Sequence, residues 1–210
     1  MKKCLLSLGG CLLLLIIICA CTGKNEAQVE VQVEEEECLC PHAVIYLQPY
    51  DDFTKAEAEK LVPKLREEFE QWLYGEWKFK VLTPKSLPKE GFIPERNRYR
   101  AMTILKSERK NLKSSEIIIG LTHKDICVDA HGVKDYGIVG LSMRRGQVCI
   151  ASDKRLEKKS DYWKPILHEF VHTFYGSGHC PNDDPKCFMK DAKGHGRFGI
   201  QKYLCDKCMQ

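Results

Sequence analysis

Beyond residue 21 the sequence has no long apolar run, which excludes a multi-span membrane protein. It has no internal repeat, and 15 Gly and 9 Pro in 210 residues are far too few for a collagen-like fibre. Aromatic residues make up 9%, and the basic residues are scattered rather than interleaved with them, so no stacking platform for nucleic acid is indicated. No glutamate follows Glu169. What is present is the composition of one folded domain: 43% apolar residues supply a core and 30% charged residues a solvated surface, which excludes a disordered chain. Cysteine is abundant, at 12 residues, three of them (Cys4, Cys11 and Cys19) within the first twenty.

The N-terminus reads as an export signal. Lys2 and Lys3 precede an apolar run over residues 4–19, and Ala20 precedes Cys21. Ile18-Cys19-Ala20-Cys21 resembles a lipobox, in which the last cysteine is lipidated and becomes the new N-terminus. The run is short for a spanning helix and no basic stop-transfer cluster follows it. The expected organisation is a lipoprotein signal peptide over 1–20, an acidic tether over 21–37, and a folded domain over 38–210. A lipid on Cys21 would hold the domain to the bacterial cell envelope without spanning the membrane.

The tether carries six glutamates against Lys24, so it repels itself and stays in water. It also masks the charge of the folded domain. The whole chain has 33 basic and 29 acidic residues; without Lys2, Lys3, Lys24 and those glutamates, 30 basic and 23 acidic remain, a net +7. Lysine-rich solvated faces are the first reading of that excess, with a preference for acidic substrates or anionic surfaces as the other.

Within the domain, residues 43–48 and the alternating 77–82 read as strands. Thr54 and Glu57 form a capping box that opens a helix with Leu61, Leu65, Phe69, Trp72 and Leu73 on one face. Pro63 inside it should kink the helix or delay its start. Tyr99, Met102 and Leu105 suggest a second helix ending near Asn111, and 116–121 a buried strand. Residues 138–143 and 147–152 read as two strands around the turn at Arg144-Arg145-Gly146. Asp161 is the expected N-cap of a third helix reaching Tyr175. Strand–helix–strand–helix followed by strands gives an α/β (α+β) class, with a mixed twisted sheet packed by helices.

The chemistry concentrates in His168-Glu169-Phe170-Val171-His172. Four residues make slightly more than one helical turn, so both imidazoles share a face and can bind one metal ion. Glu169 projects beside them and can hold a water bound to that ion. A catalytic zinc needs three protein ligands and an open position for water. The absence of glutamate after Glu169 removes the downstream-glutamate option. His179 is the natural third ligand, with Asp183, Asp184, Asp191 and His195 as alternatives. A second cluster is Cys180, Cys187, Cys205 and Cys208, whose last two form a two-residue-spaced knuckle. Four thiolates around a structural zinc would staple a polar tail, and two disulfides in an oxidising compartment are the alternative.

His168-Glu169-x-x-His172, Gly176, His179-Cys180, Cys187-Phe188-Met189 and Cys205-x-x-Cys208 together resemble the archaemetzincins, a branch of the metzincin zinc peptidases. The likeness extends from about Val44 to Cys208 and includes Ile138-Val139-Gly140-Leu141. It implies a metzincin-like fold with an active-site helix and a small Cys-rich C-terminal subdomain. It implies two zinc ions: a catalytic one on His168, His172 and His179 with Glu169 as general base, and a structural one on Cys180, Cys187, Cys205 and Cys208. It implies Met189 as the Met-turn residue. In this chain His179 follows His168 by eleven residues where the family has ten, and six residues separate Cys180 from Cys187 where the family has four.

The expected function is therefore a zinc metallopeptidase acting on a peptide or protein substrate as a monomer, with the 147–152 strand read equally as a substrate-pairing sheet edge or as an interior strand. A noncatalytic zinc-stabilised surface binding module is the alternative. A zinc-ribbon nucleic-acid binder conflicts with the export signal and with the single CxxC. Cys127 and Cys149 read as buried apolar residues or disulfide partners, and Cys38 and Cys40 are too close to bridge each other comfortably. His42, His123 and His131 read as ordinary histidines.

Overall fold

Three consecutive isoleucines followed by Gly-Leu-Thr place apolar side chains on both faces of one strand, and such a strand is stable only between two apolar layers. The structure, a computed structural model, describes residues 42–110, 112–113, 116–182, 184–191 and 197–208. Cys21, the signal and tether, Cys38, Cys40, Asp183 and His195 lie outside the described residues. The strand in question is β5 (Glu116–Thr122). Ile117, Ile119 and Leu121 enter one core cluster and Ile118 enters another.

Five strands make the larger sheet, in the order β2-β1-β5-β9-β8. These are β1 (His42–Pro49), β2 (Glu76–Val81), β8 (Gly140–Ser142) and β9 (Val148–Ser152), with β5 central. β1, β2, β5 and β9 are mutually parallel, and β8 pairs antiparallel with β9. Helices α1 (Lys55–Trp72) and α3 (Trp163–Tyr175) share one core with one face, through Leu65, Phe69, Ile166 and Phe170. Helix α2 (Ala101–Arg109) shares the other through Ile104 and Leu105. A second sheet, β3-β4-β6-β7, is formed by β3 (Phe92–Ile93), β4 (Arg98–Arg100), β6 (Ile126–Ala130) and β7 (Val133–Ile138). Among the described residues no helix is long and apolar enough to cross a membrane.

The structure bears on four local expectations. Helix α1 starts at Lys55 and runs through Pro63. Pro63 is exposed, so the carbonyl it leaves without an amide partner faces water. Tyr99 lies in β4, paired with Phe92 and Ile126, and α2 begins two residues later. Asp161 ends a 3-10 turn and pairs with Lys164 at 3.0 Å rather than capping α3. The strand at 148–152 is interior, between β5 and β8, and the sheet ends at β8 on that side.

Candidate metal centre

Helix α3 is buried over nearly its whole length, from Trp163 to Thr173, so the charged and polar groups it carries are in the protein interior. The His168 and His172 rings stand 4.6 Å apart between centroids. His168 Nδ1 lies 2.7 Å from the Phe188 carbonyl and His172 Nδ1 lies 2.6 Å from the Ser177 carbonyl. A carbonyl only accepts, so each Nδ1 carries the proton and each Nε2 presents a lone pair. Those two Nε2 atoms are 3.0 Å apart. Two facing lone pairs at that distance repel each other unless a cation sits against both.

Burial and the neighbouring His172 push His168 down to about 3, and burial pushes His172 down to about 4. Both rings therefore stay neutral, the form that ligates metal. His179 completes the group, its centroid 5.4 Å from His168 and 4.9 Å from His172. One ligand atom from each of the three lies within 4.8 Å of the others. Burial lowers His179 as well, but it is the exposed member, and its Nδ1 is 3.8 Å from Asp191.

Between His172 and His179 the chain leaves the helix. α3 continues to Tyr175, and Gly176, at φ 71°, ends it by donating to the His172 carbonyl. A left-handed C-cap of this kind reverses the chain, and Gly176 adopts it without strain. Of the alternative third ligands within the described residues, Asp184 is engaged with the Lys186 backbone N–H at 2.8 Å, and Asp191 lies beside His179.

Glu169 is shifted in the opposite sense to the histidines. Burial pushes it up to about 8, against a hydrogen bond from the Ser142 hydroxyl. Its Cγ would be 2.6 Å from a Cβ built on Gly140, so the carboxyl reaches its place only because position 140 has no side chain. Gly140 and Ser142 belong to the edge strand β8, and no motif or spacing pointed to their proximity to Glu169. These residues line a cleft of about 440 Å³ with the three histidines, Arg144, Asp191 and, from the β6–β7 hairpin, His131 and Tyr136.

The four C-terminal cysteines also converge. Cys180, Cys187, Cys205 and Cys208 place their sulfurs within 4.8 Å of one another, all as free thiols. Burial raises the Cys187 thiol, whereas Cys205, despite its own burial, is held down to about 7 by the thiols of Cys180, Cys208 and Cys187. Met189 is fully buried and its carbonyl accepts from Cys180 N–H at 2.7 Å. Phe188, whose carbonyl holds His168, lies between Cys187 and Met189. Cys127 and Cys149 are buried, free and apart from this cluster.

No family model and no curated protein matches the chain. Solved structures do. The archaemetzincin from Methanopyrus kandleri is similar at a TM-score of 0.67 and 23% identity, over 80% of this chain and 92% of that one. The archaemetzincin from Archaeoglobus fulgidus, complexed with malonate, is similar at 0.62 and 22%, over 79% and 97%. A zinc-dependent peptidase from Methanocorpusculum labreanum is similar at 0.59 and 23%, over 78% and 97%. Two sheets and three helices in this arrangement, closed by a cluster of C-terminal cysteines, give the chain an archaemetzincin-like fold.

Proposed function

We propose that the chain is a zinc-dependent metallopeptidase hydrolysing peptide or protein substrates, with His168, His172 and His179 as ligands of the catalytic metal and Glu169 as general base. The observation that carries this reading is the pair of facing Nε2 lone pairs beside a buried carboxyl. Neutral imidazoles whose Nδ1–H groups are tied to carbonyls are a donor set suited to zinc. Bound there, zinc supplies a Lewis acid for the scissile carbonyl and acidifies a water to near pH 7. Glu169 accepts the proton of the attacking water and delivers it to the leaving amine. The edge strand β8 offers its free backbone groups to an extended peptide beside that carboxyl. A noncatalytic module has no use for a carboxyl buried at the expense of its ionisation.

Glu169→Ala in the zinc-loaded full-length chain should keep its metal and lose peptide hydrolysis by at least ~100-fold. Metal content by emission spectrometry and cleavage by mass spectrometry read the two separately. Parent-rate cleavage by the zinc-replete variant would remove Glu169 from the mechanism.

The motif ending at Cys21 supports attachment to a bacterial cell envelope through lipid. In a bacterial host, Cys21→Ser should abolish incorporation of a labelled fatty acid and release the chain from the membrane fraction. Equal labelling of the variant would rule the anchor out.

A further inference from the structure

Arg144 stands where a cation is unfavourable. It lines the cleft with His172 and His179. A fixed positive charge beside a cation-binding triad weakens metal binding, so an anion in the same place would offset it. Among the described residues no carboxylate lies within ion-pair distance of Arg144. Its neighbour Arg145 has a structural place. A Cβ on Gly176 would lie 2.6 Å from Arg145 Nε, so that guanidinium covers the C-terminus of α3, where a cation complements the helix dipole. Arg144 has no such engagement: it is exposed, and its Nη2 comes no closer than 3.9 Å to a Cβ placed on Gly178.

The cleft's own acids are used elsewhere. Glu169 is buried against β8, and Asp191 lies beside His179. Arg144 follows the edge strand by two residues, in the turn that leads from β8 back to β9. A peptide paired with β8 beside Glu169 and continuing past Ser142 brings a side chain towards Arg144, which lines the same cleft. For an antiparallel peptide, that side chain precedes the scissile bond.

We infer that Arg144 is a specificity-determining residue that binds a carboxylate of the substrate, an acidic side chain near the scissile bond, through its guanidinium. The inference rests on the proposed peptidase reading. A guanidinium matches a carboxylate with two parallel N–H donors, and closing a peptide over the cleft desolvates the pair. The free C-terminal carboxylate of a short peptide offers the same chemistry, and blocked and free peptides separate the two sources.

The probe is a synthetic peptide library with Glu or Gln at each position, made with free and with amidated C-termini, given to the zinc-loaded full-length chain. The expected result is cleavage favouring Glu over Gln by roughly fivefold in kcat/KM at one position before the scissile bond. The ratio should fall to about one in Arg144→Gln, survive in part in Arg144→Lys, and fall below one, with Gln favoured over Glu, in Arg144→Glu. A preference that vanishes on amidation assigns the carboxylate to the chain end. No Glu preference in the parent, or the same preference in Arg144→Gln, overturns the inference and leaves the peptidase reading standing. If nothing is cleaved, the peptidase reading fails and binding of the same peptides decides for Arg144. Glu-over-Gln binding that Arg144→Gln abolishes keeps the carboxylate site, and equal binding removes it.

Discussion

Position 140 is glycine because Glu169 occupies the space a side chain would need. A Cβ there would lie 2.6 Å from Glu169 Cγ and 2.7 Å from Oε1, distances that real Cβ atoms do not show. Gly140→Ala leaves the histidines untouched and is compatible with strand backbone, so it should fold and bind zinc. It should move the carboxyl by an ångström or so, which at a reacting centre costs about 100-fold in rate. Cleavage kinetics with metal content as the control check this, and activity within twofold of the parent would contradict it. The helical pair and Glu169 were legible in the sequence because one helical turn fixes their relation. Gly140, Ser142 and Arg144 were not, because their closeness to Glu169 and His172 arises from packing β8 against α3, which no local spacing encodes.

At the scale of the element, α3 carries opposed titrations. In the zinc-free chain His168 and His172 fold with pKa values near 3 and 4, below their ordinary 6.5. Their contribution to stability is present above about pH 6.5 and is lost as pH falls through those lowered values. Glu169 folds near 8 against an ordinary 4.5. Its contribution is present below 4.5 and is lost as pH rises through 8. Between 4.5 and 6.5 two histidines outweigh one glutamate, and above 6.5 the glutamate acts without them. Between pH 4.5 and 8 the melting temperature of zinc-free protein should therefore peak near 6.5; above about 7 the lowered Cys205 thiol begins to offset the fall, and Glu169→Gln should remove the falling limb. Melting followed by circular dichroism across that range tests it; a falling limb unchanged in the variant would mean that other groups produce it. The elements with strong periodicity, α1, α3 and β5, were legible in advance. The β6–β7 hairpin was not. Its strands are short, and its turn, His131-Gly132 with φ 54° and 72°, uses histidine where asparagine or aspartate would have announced it. With it the sequence reading missed His131 and Tyr136 as residues of the cleft.

Across the whole molecule the two clusters share a backbone. His179 and Cys180 are consecutive, and Phe188, whose carbonyl holds His168 Nδ1, follows Cys187 directly. Phe188 N–H donates to the Tyr203 carbonyl at 2.7 Å, tying the same segment to the chain that carries Cys205 and Cys208. The longer Cys180–Cys187 spacing left open whether the four sulfurs meet, and only the folded chain brings them within 4.8 Å of one another. Cys208 is the cluster member nearest the end of the chain, so Cys208→Ser tests the coupling without altering a residue next to a histidine. On the reading that the four cysteines hold a second zinc, metal content should fall from about two ions per chain to about one. The remaining ion should bind about 10-fold more weakly in competition with a chelator, since loosening the groups that orient metal-bound histidines costs about 10- to 100-fold in affinity. An unchanged affinity would make the clusters mechanically independent. Two ions retained in the variant, or a parent chain without free thiols after zinc removal under denaturing conditions, would replace the structural zinc with another role for the cysteines, disulfides in the second case.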